Sequence, residues 1–190
     1  MGMGEPMLNY ERVLRACEVM CDPCGLAIDG RAITISTVGI VPAIRRFTAE
    51  KRPQRLIVSL TAAESDKRRR LFPVEEVHPL PELMEAIREY HTATGQRVTL
   101  AWTALRGINT GEEDARQIAA LTAGLPIRID LIDVNDSTHE FEPPTPEEMR
   151  AFRDALTEHV GMPIARRYSG GADVHGACGM LAGRAVEQKK

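Results

Sequence analysis

The sequence predicts an α/β fold, a partial parallel (β/α) barrel. Three observations predict it. Short β-branched stretches alternate with stretches of helical spacing along the chain. The connections between successive strands are long enough for parallel crossovers. Polar residues gather at strand C-termini (Glu5, Ser36, Ser59, Thr61 and Asn135), the rim where parallel barrels bind ligands.

The elements follow in order. Met1-Gly2-Met3-Gly4-Glu5-Pro6 is a glycine turn ending in a carboxylate and a proline. Glycine there lets backbone approach a ligand, and Pro6 suits the start of a helix. Residues 9–21 have helical spacing, with Leu14, Cys17 and Cys21 along one face and Asn9 as the expected N-cap. Asp22-Pro23 and Gly25 close that helix. Ala32–Ser36 is β-branched and reads as a strand, and Pro42 opens a short helix. Leu56–Leu60 is the next strand. A basic segment, Lys67–Arg70, follows it.

Pro81–His91 is helical, with Leu83, Met84, Ile87 and Tyr90 apolar. Arg97–Leu105 reads as a strand, Glu112–Ala123 as a helix and Ile127–Val134 as a strand that ends at Asn135. Pro146–His159 is an amphipathic helix, and Pro163–Arg167 a last short strand. Residues 168–190 form a glycine-rich loop and a short helix that carry His175 and Cys178. The whole chain, 1–190, reads as a single domain without internal repeats.

Composition narrows the function. Among 190 residues, 27% are charged and 43% hydrophobic, so a single core is affordable in ordinary soluble form. The net charge of −3 excludes binding of a polyanion by overall charge, leaving only local basic clusters. Three such clusters stand out: Arg45 to Arg55, Lys67 to Arg70, and Arg166-Arg167. Aromatic residues make up only 4%, too few for a base-stacking platform. No apolar run reaches membrane length and no signal peptide is recognisable, so the expected localisation is cytoplasmic, without a membrane partner. The four cysteines are then expected as thiols, nucleophiles or metal ligands rather than disulfides.

Four stretches carry a resemblance: Met1–Pro6, Ile33–Pro42, Val58-Ser59-Leu60, and Asp173–Gly183. In these motifs and their order the chain resembles the C-terminal half of the radical S-adenosylmethionine (SAM) methyltransferases. These modify adenine C2 of 23S ribosomal RNA and, in some members, transfer RNA. The chain is also similar to their sister group acting on adenine C8. The resemblance implies the later strands of a radical SAM barrel, with SAM and a 4Fe-4S cluster as cofactors. It implies ribosomal RNA or tRNA as partner, and an external reductase for the cluster.

It also implies roles for single residues. Gly4 and Glu5 hold the amino end of SAM, and Ser36 its polar end. Ser59, Leu60 and Thr61 form the next contact, and Asn135 reaches the adenosyl part. Cys178 matches the cysteine that carries the methyl group. A thiol on a glycine-rich loop suits that task, because a thiolate is a good nucleophile. In the implied reaction SAM methylates Cys178. A second SAM, cleaved reductively, gives a radical that takes hydrogen from that methyl, and the methylene adds to adenine.

The chain departs from the family pattern in several places. Thr61 stands where the family has histidine, and Asp133-Val134-Asn135-Asp136 where it has a Pro-aromatic-Asn-Pro run. The family's Cys-x3-Cys-x2-Cys loop, which precedes the Gly-Glu-Pro turn, its N-terminal RNA-contacting domain and its second essential cysteine are not in this sequence. The expectation is a truncated form whose enzymatic activity on its own is uncertain. The competing readings are a non-catalytic remnant and a radical SAM enzyme with another substrate. Cys17, Cys21 and Cys24 do show Cys-x3-Cys-x2-Cys spacing, the spacing of cluster ligands. They follow the Gly-Glu-Pro turn and two of them sit within a helix, so they are read as a decoy. No metal ligand is assigned.

Overall fold

The computed structural model describes residues 4–135, 140–168 and 170. Among them, five strands form one parallel sheet in the order β1-β2-β3-β4-β5. These are β1 (Thr34–Thr37), β2 (Arg55–Ser59), β3 (Val98–Ala104), β4 (Ile127–Asp133) and β5 (Ile164–Arg167). Strand order equals chain order, as successive crossovers of one hand require. β1 pairs with β2 in the register Ser36↔Ile57, and β4 with β5 in the register Leu131↔Arg166. The parallel α/β class expected from the sequence is the class found.

Two compact units make up the chain. One comprises Glu5–Leu60 and Glu64–Leu100. Its helices are α1 (Tyr10–Cys21), α2 (Val41–Ala49), α3 (Ser65–Leu71) and α4 (Leu80–Thr94). Leu56, Ile57 and Val58 of β2 are all buried, so this strand is covered on both faces. α2 packs on α4 through Ile44, Phe47, Leu83, Ile87 and Tyr90, each without exposed surface. The Phe47 and Tyr90 rings stack with centroids 6.1 Å apart. Pro42 and Pro81 lie in the first turns of α2 and α4, where a missing N–H costs nothing.

The other unit comprises Met1–Gly4, Thr61–Ala63 and Ala101–Lys190. It contains α5 (Glu112–Leu121) and α6 (Pro146–Val160), which pack on each other. α6 starts with a capping box. Thr145 Oγ1 accepts from Glu148 N at 3.2 Å, and Glu148 Oε2 accepts from Thr145 N at 2.7 Å. That backbone bond and the nearby Arg106 hold the Glu148 carboxyl below its usual range. Trp102 and Phe152 meet at 6.0 Å between ring centroids.

Two local differences from the sequence reading have simple causes. β1 begins at Thr34 rather than Ala32, because Gly30–Ala32 winds into a 3-10 turn capped by Asp29, which accepts from Arg31 N. Asn9 makes no side-chain cap at α1. The chain enters α1 from a preceding 3-10 turn, Pro6–Asn9, and the capping carboxylate is Glu5.

Candidate functional site

Glu5 begins the site in the first unit. Its Oε1 accepts from Met7 N at 3.0 Å, which caps the 3-10 turn, and its Oε2 accepts from Val38 N at 2.9 Å. The Gly-Glu-Pro turn is thereby tied to the end of β1, two residues beyond Ser36. A carboxylate has about four lone-pair sites, so two backbone bonds leave acceptor capacity. Ser36 lies within β1 and Ser59 ends β2, both half-buried. Leu60 has no exposed surface, so its side chain packs and only its backbone can serve a ligand. Glu5, Ser36, Ser59 and Leu60 thus all belong to the C-terminal side of one paired strand set. Gly4, just before this unit, is exposed at φ 114°, a conformation that disfavours any side chain.

Behind the β1 turn lies a buried ion pair. Arg68 Nη1 meets Glu75 Oε2 at 2.6 Å with neither side chain exposed. Arg68 Nη2 donates to the Val38 carbonyl at 2.7 Å, and Glu75 Oε1 accepts from Leu80 N at 2.8 Å.

In the second unit, Thr61 is buried at φ 57°. Its hydroxyl is turned inward, accepting from Thr103 N at 3.4 Å. Its carbonyl accepts from Asn109 Nδ2 at 2.8 Å. Asn135 follows β4 and is half-buried. Nearby on β4, buried Asp130 accepts from Arg128 Nε at 2.7 Å. Its other oxygen stands 2.6 Å from Arg167 Nε, a charge pairing without hydrogen-bond geometry. Cys178 and His175 lie outside the described residues.

The three clustered cysteines differ in environment. Cys17 is buried in the α1 face, Cys21 is half-buried, and Cys24 is exposed. Burial, then the neighbouring Cys21, pushes the Cys17 thiol up, away from the thiolate a metal needs. Among the described residues, no three His, Cys, Asp or Glu side chains gather as metal ligands.

The basic clusters are largely matched by acids. Arg45 pairs with Glu85 and Glu89, Arg46 with Glu11 and Glu50, and Arg52 with Glu18 and Glu50. Arg69 pairs with Asp66, and Arg166 with Asp133. Sequence reading missed Arg68, Glu75 and Asn109. Arg68 is hidden in a run of four basic residues, and Asn109 in a polar turn between two glycines. A carboxylate seven residues after Arg68 was the available hint.

The chain is 55% identical over 185 residues to the protein named "Probable RNA methyltransferase" of Anaeromyxobacter sp. (strain Fw109-5), covering 97% of this chain and 55% of that one. The chain is similar to RNA methyltransferases. It is 43% identical over 183 residues to the protein of Opitutus terrae named "Probable dual-specificity RNA methyltransferase RlmN 2", covering 96% of this chain and 43% of that one. A crystal structure of a radical SAM methyltransferase from Sphaerobacter thermophilus superposes with a TM-score of 0.90 at 37% identity, covering 95% of this chain and 53% of that one. The chain therefore spans about half the length of the curated relatives it matches. No family model matches it. Among the described residues no helix is long and apolar enough to cross a membrane.

Proposed function

We propose that this chain contributes the SAM-holding strand ends and the methyl-carrying cysteine of a cytoplasmic radical SAM enzyme that methylates adenine in ribosomal RNA or tRNA. The observation that carries the reading is the 55% identity to a probable RNA methyltransferase along 97% of the chain. The donor and acceptor set suits the zwitterionic end of SAM. Gly4 and Glu5 take the ammonium, since Glu5 keeps free lone pairs beside a backbone with no Cβ in the way. Ser36 and Ser59 supply hydroxyls for the polar end, and Leu60 and Thr61 shape the next contact with backbone groups. Asn135 addresses the adenosyl part. Cys178 holds the transferred methyl on its sulfur.

SAM, when bound, supplies the methyl group and the source of a hydrogen-abstracting radical. A 4Fe-4S cluster and an external reductase serve that second task. Cys17, Cys21 and Cys24 do not fit a cluster, being spread from a buried helix face to an exposed turn. The acids that neutralise the basic clusters leave shape rather than charge to select the RNA.

Deleting the gene and mapping methyladenines in 23S ribosomal RNA and tRNA by mass spectrometry tests the reading. The expected result is loss of one methyladenine, restored by the intact gene but not by its Cys178→Ala form. Comparison with authentic C2- and C8-methyladenine then assigns the carbon. Unchanged methylation in the deletion strain overturns the proposal.

A further inference from the structure

Val38 is gripped at both of its backbone polar groups. Its N–H goes to Glu5 Oε2 at 2.9 Å and its carbonyl to Arg68 Nη2 at 2.7 Å. We infer that Arg68, backed by Glu75, is a positioning residue that sets the ligand-holding turn made by Glu5 and Ser36–Gly39. This inference rests on the reading of that turn as a SAM contact.

Stability alone is a poor reason for the pair. Both side chains are fully buried, and Arg68 Nε is buried without a partner. Removing two charges from water is costly, and apolar replacements for buried pairs are often as stable. What the pair does is hold backbone. Arg68 grips the β1–α2 connection, and Glu75 grips Leu80 N, the first residue of α4. A planar fork can serve Glu75 and the Val38 carbonyl at one fixed angle, which the single ammonium of lysine cannot.

Gly39, at φ 110°, packs beside this pair: a Cβ on it would lie 2.9 Å from Leu83 Cδ2 and at ordinary contact distance, 3.5 Å, from Arg68 Nη2. Arg68 therefore fixes where Val38 directs its N–H, and that N–H fixes one oxygen of Glu5. Glu5, held in this way, keeps acceptor capacity for the ammonium of SAM in the reading proposed above.

The test compares wild type, Arg68→Lys, and the double variant Arg68→Met with Glu75→Gln. The double variant leaves no unpaired charge and keeps an acceptor for Leu80 N, but it frees the Val38 carbonyl and buries a new amide, so its thermal midpoint should fall by several degrees while the chain still folds. Three quantities are read on the full chain: the thermal midpoint, hydrogen exchange of the Val38 amide, and SAM affinity by calorimetry. Expected for the double variant is Val38 exchange and a Kd for SAM each raised about tenfold, the worth of one strong hydrogen bond. Arg68→Lys should fold and fall between the two, and it carries the comparison if the double variant does not fold. A folded variant with wild-type Val38 exchange and wild-type Kd overturns the inference alone. A wild-type protein that binds no SAM overturns the reading of the turn, and the positioning role with it.

Discussion

Asn109 Nδ2 donates to the carbonyl of Thr61 at 2.8 Å and holds a β-branched residue in the left-handed region, at φ 57°. Such a residue is strained there and persists only if its surroundings over-determine it. Asn109 does so with every polar atom it has. Nδ2 also donates to Thr103 O at 2.8 Å, Oδ1 accepts from Leu105 N at 2.7 Å, and its own carbonyl accepts from Trp102 Nε1 at 3.1 Å. Asn109→Ala leaves buried groups unpaired and should cost about 3 kcal/mol. Asn109→Asp should cost as much, since it aims a carboxylate oxygen at two carbonyls. Urea unfolding measures both, and a loss below about 1 kcal/mol in either contradicts the hub.

Gly39 offers a second check on the β1 turn. At φ 110° its backbone already disfavours any side chain, and an added Cβ would lie 2.9 Å and 3.0 Å from the two Leu83 methyls. Leu83 has no exposed surface and cannot swing into solvent. Gly39→Ala should therefore destabilise by about 2 kcal/mol or more, combining backbone strain with overpacking. A thermal midpoint within a degree or so of wild type would show that the turn is softer than its packing implies.

Much of the fold was legible because it rests on local pattern. The short apolar run Leu56-Ile57-Val58 reads as a strand, which the structure buries throughout, and Leu83, Met84, Ile87 and Tyr90 repeat at helical spacing. The strand-end positions were legible too: Ser36 lies in β1, Ser59 ends β2 and Asn135 follows β4. The hydrogen-bond wiring was not. Which way Thr61 turns its hydroxyl depends on Thr103, 42 residues away. Arg68 looks like its neighbours Arg69 and Arg70 in sequence, yet it alone of the three is buried, because Glu75 returns to meet it. Pairings at such separations leave no periodic trace.

The Glu50 network gives a pH dependence. Glu50 accepts from Arg52 Nε and Arg46 Nε at 2.7 Å each and from Tyr10 OH at 3.0 Å. Arg52 first, with Arg46 and Tyr10, holds its carboxyl down to about 2, against an ordinary value of 4.5. Because the folded value is the lower one, the stabilisation is complete above about 4.5 and is lost as pH falls toward 2. Solvent screening of this partly exposed group keeps the contribution to about 1 kcal/mol. Denaturant midpoints from pH 6 to 2 should fall more steeply for wild type than for Glu50→Gln. Parallel curves would remove Glu50 from the acid response.

Cys17 faces the core from within α1, while Cys24 lies in the exposed turn after the helix, where Asp22 Oδ1 accepts from its amide at 2.8 Å. Binding three irons requires three thiolates converging on one cluster. Bringing Cys17 out would unwind the helix that also buries Tyr10 and Leu14. Anaerobic iron and sulfide titration of the chain should therefore give no stoichiometric four-iron absorbance, and Cys21→Ala should titrate like wild type. A stoichiometric cluster that disappears with Cys21→Ala would make these cysteines the ligands, and α1 a helix that melts to receive them.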